Sequence, residues 1–533
     1  MKNLFKNKKF RYGSLGIGYT VAVIALLVAV NLIVSSLVFS NAWYFDMTGE
    51  KVYNISETTK EYIDSIDTGY NDITIYFFAP EDKMSLVATS SNYYSQSGMW
   101  GMKYVHSLAR ELAEDYDFIK CDYIDVEKEP DKIKQIVGEE YYDAIKLTEN
   151  HIIVDNYTVE RESDGKIING TDGKPLYWHN YRVYDRNTFY SFDYASSAMN
   201  VTAFKGDYRF CSAIMSVCNE RIPTAYFISG HGEDIGSYTV GKQNTVYGYA
   251  QYLYQLFRDS GYKVKKIDLQ HEDFGNEENS VAVIYSPHTD YSSSSETESH
   301  NELGKISAFL EKGNNSLMVF LDYQAQTLPG LESYVEKNFG VKYEDAQIKD
   351  NGDNSIDVNM LHLVGSPQTD KASTGYKISS AIADSKQKLI FPGCRPLTLS
   401  DSSKASAVVL APASSKAVYI DKTVSYGETE PACLATLSRT ESGAYVFCAG
   451  TSAFTDVIFS DSAIYENRNL LLSTIDLMSE VKTPVNVGYK IIASEGLDIT
   501  KAQATSSMIV FCAVIPAAVA IIGAIVYIRR RHS

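Results

Sequence analysis

The sequence predicts an α/β fold in which two membrane-spanning helices flank a large extracytoplasmic body. Three observations support this prediction. Long apolar runs lie near both ends of the chain, at 14–39 and 507–528. Between them, runs of β-branched and aromatic residues alternate with segments of helical periodicity. The chain has 533 residues, 45% of them hydrophobic, and is long enough for more than one domain with its own core.

The two apolar runs predict the topology. Residues 14–39 carry no charge, and at about 1.5 Å per residue a helix of this length crosses a hydrocarbon core of roughly 30 Å. A cleaved signal peptide is the alternative, but the run is about twice as long as a usual signal-peptide core and no A-x-A site follows it. Basic residues lie outside both runs, so we expect both tails, 1–13 and 529–533, in the cytoplasm and the body outside the cell membrane.

Composition narrows the class of partner and cofactor. The formal net charge is −17, and the body is more acidic still because eight basic residues lie in the two tails. Such a body is a poor partner for nucleic acid. The seven cysteines show no C-x-x-C spacing, so we expect buried free thiols and no thiol-bound metal. No cofactor is predicted.

Residues 40–203 predict a first domain. Ser56 is a suitable N-cap for a helix over 57–66, and a strand at 73–78, a helix at 102–116 and a strand at 118–126 form a parallel βαβ unit. Its size is typical of a thioredoxin-like domain. Because Cys121 is alone in this region, a disulfide oxidoreductase is not expected. The polar and aromatic stretch 151–194 indicates antiparallel hairpins.

Residues 204–481 predict a second, doubly wound α/β domain, because strands and helices alternate along it. The predicted strands are 225–229, 262–269, 281–286, 316–321, 407–410, 417–420 and 444–448, and the predicted helices are 204–218, 245–258, 296–311, 331–338 and 469–480. Turn residues dominate 341–404, which receives no assignment. Residues 482–506 are a connector to the second span.

The loops that follow the predicted strands gather polar side chains. In parallel sheets these loops meet at one edge, where ligands bind. The candidate binding residues are His231, Gly232, Glu233, Asp322 and Ser452, with Asp234, His288, Asp290 and Thr451 nearby. A histidine among carboxylates suits metal binding or acid/base work, but the His-x-Glu spacing supplies at most two ligands, and a glycine-flanked histidine is also a common turn residue. We predict no catalytic residue and no metal site.

Two motifs fall short of known catalytic patterns. Gly236 to Gln243 fits G-x-x-x-x-G-K, but Gln243 stands where a P-loop needs the Ser or Thr that holds Mg²⁺. Ser452 follows a strand as a nucleophile would, but Phe454 occupies the place of the second glycine in G-x-S-x-G. Neither motif predicts an active site.

Several segments resemble GldG-type auxiliary subunits of ABC transporters. They are Phe45-Asp46-Met47-Thr48, Lys51 to Thr59, Phe204-Lys-Gly-Asp-Tyr208, Tyr226 to Glu233, Gly450 to Phe454 and Asn467-Arg468-Asn469, together with a final span followed by arginines. The resemblance implies a non-enzymatic, membrane-anchored partner of an ABC permease and its ATPase in bacteria, with a glutamine-amidotransferase-like domain that lacks the catalytic cysteine. The family tends to carry Asp where this chain has Thr451 and Ala453, so a site that depends on those carboxylates is not expected.

The leading hypothesis is therefore an extracytoplasmic accessory subunit of an ABC-2-type transporter that binds a substrate or an envelope protein. The first alternative is a metal-dependent or hydrolytic envelope enzyme that uses His231 and Glu233. A structural or adhesion module of the cell surface is the second alternative.

Overall fold

A computed structural model describes residues 52–492 with internal gaps, together with residues 25, 26 and 28–30. The gaps are 53, 67–70, 85–100, 145, 162–165, 193–200, 220–221, 234, 236–249, 294–300, 313, 324–326, 351–353, 358, 419–422, 427–430 and 480–481. The described part is a mixed α/β structure with four sheets.

The first sheet has four strands, in the spatial order Ile119–Tyr123, Ile73–Phe77, His151–Val159 and Tyr177–Asp185. Only the first pair is parallel. Around it lie the helices Glu57–Asp64, Glu81–Met84, Met102–Asp115, Pro130–Val137 and Glu139–Ala144. Ser56 caps the first helix, since its side chain accepts from the Thr59 amide. The elements predicted over 57–66, 73–78, 102–116 and 118–126 are present with slightly shorter bounds.

The second, large sheet forms the core of the remaining chain. Its main path runs Leu389–Pro392, His362–Pro367, Ala405–Leu410, Cys433–Arg439, Tyr445–Ala449, Ser316–Phe320, Val281–Tyr285, Thr224–Ser229 and Lys263–Asp268, and the short strands Val341–Tyr343 and Leu397–Leu399 complete it. The last five strands of the path are mutually parallel. The strands before them pair antiparallel.

Apolar side chains cover both faces of the parallel strands. Ala225 and Phe227 face the helices Ala250–Asp259 and Asn467–Met478, whereas Tyr226 and Ile228 face Glu302–Leu310 and Pro329–Phe339. Successive side chains of a strand point to opposite faces of the sheet, so alternate residues contact the helix layers on its two sides. Every residue of Val281–Tyr285 and Ser316–Phe320 is buried, as expected for central parallel strands.

Two small sheets and several short helices complete the described part. One sheet joins Gln347–Lys349, Lys416–Val418 and Thr423–Ser425, and the other joins Lys490–Ile491, Val201–Phe204 and Tyr190–Phe192. The remaining helices are Gly206–Val217, Tyr376–Ser379 and Val457–Ser460, with 3-10 turns at Arg186–Phe189 and Ala453–Thr455.

The prediction of a doubly wound, parallel sheet is wrong for the large sheet as a whole. Residues 362–439 contribute antiparallel strands to it, and four of these strands were not predicted: His362–Pro367, Leu389–Pro392, Leu397–Leu399 and Cys433–Arg439. Antiparallel neighbours need no crossover helix, so the alternation of strand and helix that predicted the parallel part is missing there. The predicted strand 417–420 joins one of the small sheets instead.

The predicted membrane topology is also corrected. In the described part of the chain no helix has the length and apolar character that a membrane span requires. A span needs about 20 apolar residues in succession, and the longest described helix, Met102–Asp115, has 14 residues and a charged outer face. The fold class with two spans, and the location built on it, are therefore overturned. Residues 507–528, and 14–39 apart from residues 25, 26 and 28–30, lie outside the described residues.

The helix Gly206–Val217, which we name the bridging helix, packs into two hydrophobic cores. Tyr208 and Cys211 belong to the core of the large sheet, whereas Phe210 and Ile214 belong to the core of the first sheet. It is buried along almost its whole length. The two predicted domains therefore share this helix.

Three buried ion pairs fix the start of the bridging helix. Lys205 lies 2.7 Å from Asp461, Asp207 pairs with Lys490, and Arg209 pairs with Asp259. The Lys205 and Asp461 side chains are 3% and 5% exposed. Because a buried charge that loses its partner keeps its desolvation cost, each pair specifies which segment packs against the helix.

We expect Asp461→Asn to lower the free energy of unfolding by about 3 kcal/mol, because Lys205 would stay buried without a counterion. Asp72→Asn is the matched control. It breaks the exposed pair with Lys120, in which both side chains are 58% exposed, and should change stability by less than about 1 kcal/mol. Urea denaturation followed by circular dichroism measures both. Equal effects of the two substitutions would refute the importance of the buried pair.

Candidate functional site

The edge formed by the carboxyl ends of the parallel strands begins with a Gly-His-Gly turn. Gly230 and Gly232 adopt φ angles of 114° and 82°, a region that glycine enters at little cost. A Cβ on Gly232 would lie 3.2 Å from the Cβ of His288, and the amides of His288 and Thr289 donate to the His231 carbonyl over 2.7 and 3.0 Å. The turn directs the His231 side chain into the protein, where it is 1% exposed.

Two buried glutamates hold the His231 ring. Its Nδ1 lies 3.1 Å from the Glu233 carboxylate and its Nε2 lies 3.1 Å from the Glu302 carboxylate. The side chains of the two glutamates are 1% and 0% exposed. The Tyr291 ring stacks on the imidazole with 3.8 Å between ring centroids, and its hydroxyl donates to Glu233 over 3.2 Å. Since both ring nitrogens face carboxylates, both carry a proton.

Burial alone would lower the pKa of His231. The hydrogen bonds and charges of Glu233 and Glu302 outweigh that effect and raise the pKa to about 9. The same contacts lower the pKa of Glu302 despite its burial. At neutral pH His231 is therefore an imidazolium with no lone pair for a metal ion or for a substrate proton. We name this arrangement the histidinium cluster: His231, Glu233, Tyr291 and Glu302.

Asp322 organises a second cluster at the same edge of the sheet. Its Oδ2 accepts from the hydroxyls of Ser286, over 2.5 Å, and Ser452, over 2.7 Å, and its Oδ1 accepts from the Ser452 amide. Asp322 and Ser452 are thus brought together as predicted for a shared edge. A carboxylate is too weak a base to activate a serine hydroxyl, and no histidine takes part in these contacts.

The other polar residues predicted at this edge have structural partners. Asp290 accepts from the amides of Gly330 and Leu331 over 2.6 and 2.9 Å, at the start of the helix Pro329–Phe339. Thr451 donates to the Pro392 carbonyl over 2.8 Å. Asp234 and the P-loop-like stretch 236–243 lie outside the described residues.

Metal binding and thiol chemistry find little support in the described part of the chain. It contains no group of three His, Cys, Asp or Glu side chains arranged to hold a metal ion. Six of its cysteines are free, and burial raises the pKa of each thiol, which disfavours the reactive thiolate. Cys512 lies outside the described residues.

Sequence reasoning missed Glu302, Tyr291 and Ser286. Helical periodicity could have indicated that Glu302 is buried, because it shares a helical face with Ile306 and Leu310, which are buried. An acidic residue on an apolar face needs a buried partner. Tyr291 and Ser286 lie in loops and carry no such signal, so their positions depend on how the chain turns after Val281–Tyr285.

Comparisons with known proteins leave the family open. The chain matches no family profile and no curated protein. Among solved structures it is similar to the crystal structure of Agd3, described as a novel carbohydrate deacetylase, with 9% identity and a TM-score of 0.27 over 48% of this chain. The match spans only 32% of that protein. A TM-score of this size supports neither a fold assignment nor an activity.

The raised pKa of His231 predicts a pH dependence of stability. Because the folded value of about 9 exceeds the ordinary 6.5, the stabilisation by His231 is complete below about pH 6.5 and is lost as the pH rises through about 9. The difference in unfolding free energy between the wild type and His231→Gln should therefore shrink by about 3 kcal/mol across this range. Urea denaturation at several pH values measures it.

The control is His271→Gln, which removes a largely exposed histidine beside Asp268. Because solvent screens this exposed pair, the substitution should change the unfolding free energy by less than about 1 kcal/mol at each pH tested. A His231→Gln difference that stays constant over the same pH range would show that the ring is not held as an imidazolium.

Proposed function

We propose that this chain is a non-catalytic binding subunit. The observation that carries the proposal is the histidinium cluster, in which the histidine predicted at the strand-end edge has both ring nitrogens hydrogen-bonded to buried glutamates. A general base or a metal ligand needs a free ring nitrogen. The cluster instead stabilises the loops after Thr224–Ser229 and Val281–Tyr285, and a rigid edge of this kind suits recognition.

The partner that we propose is an ABC-2-type permease together with its cytoplasmic ATPase. This part of the proposal is supported by the order of the sequence segments that resemble GldG-type auxiliary subunits, from Phe45 to Asn469. Two of these segments have clear structural roles in the described part. Lys205 and Asp207, in the segment that begins at Phe204, form two of the buried ion pairs of the bridging helix, and His231, in the segment that begins at Tyr226, forms the histidinium cluster. The chain would bind a substrate or a further protein for the transporter.

Among the described residues, no contact at this edge of the sheet favours the enzymatic alternative. An envelope hydrolase or metal-dependent enzyme that used His231 and Glu233 would have to break two buried ion pairs before reaction. Each such break leaves an uncompensated charge and costs several kcal/mol, on the order of 3 to 5.

Co-purification tests the proposed partnership. The tagged chain, expressed in its native cell at its normal level, is recovered in mild detergent and its companions are identified by mass spectrometry. We expect the permease and the ATPase to be enriched together, and reciprocal tagging of the ATPase to recover this chain. A tagged unrelated protein is the control. Absence of both transporter subunits in both directions would refute the partnership.

Metal analysis tests the non-catalytic part separately. The purified chain should carry no stoichiometric transition metal, and His231→Gln should change its metal content by nothing measurable, because both ring nitrogens are already occupied by carboxylates. Elemental analysis measures the content. A bound metal that disappears in His231→Gln would favour the enzymatic alternative.

A further inference from the structure

A cavity of about 630 Å³ opens beside the first turn of the helix Asn467–Met478. Its wall includes Lys386, Gln387, Arg468, Asn486 and Tyr489. This volume lies in the range of small-molecule sites, which span roughly 300–1,000 Å³. The cavity is separate from the histidinium cluster, and no residue of that cluster lines it.

Arg468 is a buried cation without a counterion in the described part of the chain. It is 5% exposed, and its guanidinium carbon lies 3.7 Å from the centre of the Tyr489 ring. Its Nη2 donates to the Val487 carbonyl over 3.0 Å, but its Nε and Nη1 have no hydrogen-bond partner among the described residues. A buried charge is normally paired, and buried donors are normally satisfied. Arg468 has neither a paired charge nor fully satisfied donors among the described residues, and it lies at the wall of a cavity.

Asp461 and Glu466, two acidic residues close to Arg468 along the chain, are committed to other groups. Asp461 pairs with Lys205 and accepts from the Tyr489 hydroxyl over 3.0 Å. Glu466 accepts from the Ser385 hydroxyl and from the Asn469 amide. Arg468 is therefore available to an anion that the protein itself does not provide.

We propose that the cavity binds a small molecule with one carboxylate and several hydroxyl or amino groups, with Arg468 as the anchor for the carboxylate. A singly charged carboxylate fits better than a phosphate dianion, because Asp384 and Glu466 also line the cavity and repel a second negative charge. Those two acids and the amides of Gln387 and Asn486 match hydroxyl or amino groups on the ligand. Nε and Nη1 are covered in the free protein, so the wall around Arg468 adjusts as the carboxylate binds.

This inference does not depend on the proposed transporter partnership. It concerns a different place in the fold, and its test uses the purified chain alone. Failure of co-purification and failure of ligand binding are therefore distinguishable results.

Isothermal titration calorimetry of the purified full chain tests the proposal. The probes are gluconate, glucuronate and glutamate, with sorbitol as an uncharged polyol and inorganic phosphate as the competing anion. Arg468→Met removes the charge and keeps much of the volume. Gly488→Leu fills the cavity from a wall position where an added Cβ meets nothing within 4 Å. Ala144→Leu, an exposed position at the end of Glu139–Ala144, is the control.

We expect at least one carboxylate probe to bind with 1:1 stoichiometry and sorbitol not to bind. Arg468→Met and Gly488→Leu should each weaken binding at least about 10-fold, and Ala144→Leu should leave it unchanged. If Arg468→Met fails to fold, Gly488→Leu decides the test.

Three results would overturn the proposal. The first is that none of the three carboxylates binds at concentrations up to about 10 mM. The second is that they bind equally well to the wild type and to Gly488→Leu. The third is that phosphate binds more tightly than every carboxylate.

Discussion

The buried ion pairs of the bridging helix determine how the described segments of the chain pack together. Lys205, Asp207 and Arg209 lie within one turn and a half, and their partners Asp461, Lys490 and Asp259 come from three separate segments of the chain. Hydrophobic contact alone does not discriminate between segments of similar size. A buried charge does, because packing the wrong segment leaves it unpaired. These pairs therefore select how the two cores of the protein meet.

Pairing of buried charges also determines the arrangement of side chains at the edge of the large sheet where the parallel strands have their carboxyl ends. In many α/β proteins this edge keeps polar groups free for a ligand. Here His231 is saturated by Glu233 and Glu302, and Asp322 is saturated by Ser286 and Ser452. The polar residues at the usual ligand-binding edge are thus used to hold loops together. Arg468 is the contrast, since its charge has no counterion within the described chain and lies beside a cavity.

Capping residues and hydrophobic periodicity correctly predicted those helices and strands that such short-range patterns define. Ser56 marks a helix start, the buried run Val281–Tyr285 marks a central strand, and the face with Val105, Leu108 and Leu112 marks a helix. Their positions needed only capping chemistry and periodicity. Four antiparallel strands within 362–439 were missed because their short runs are interrupted by turns, and because their pairing joins residues far apart in sequence, such as Leu363 with Phe391. The prediction of two spans rested on apolar length alone, and the described helices do not supply such a span.

For the site, the order of residues along the chain was enough to predict which polar side chains follow the parallel strands, with His231 beside Glu233 and Asp322 near Ser452. What it did not determine is the partner on the far side of the histidine, Glu302, which lies 71 residues away along the chain. Only the packing of the helix Glu302–Leu310 against the sheet brings that carboxylate to Nε2. A pair of residues in sequence suggests a reactive histidine, whereas the tertiary contact makes it a buried imidazolium, because protonation depends on every neighbour in space and not only on the nearest in sequence.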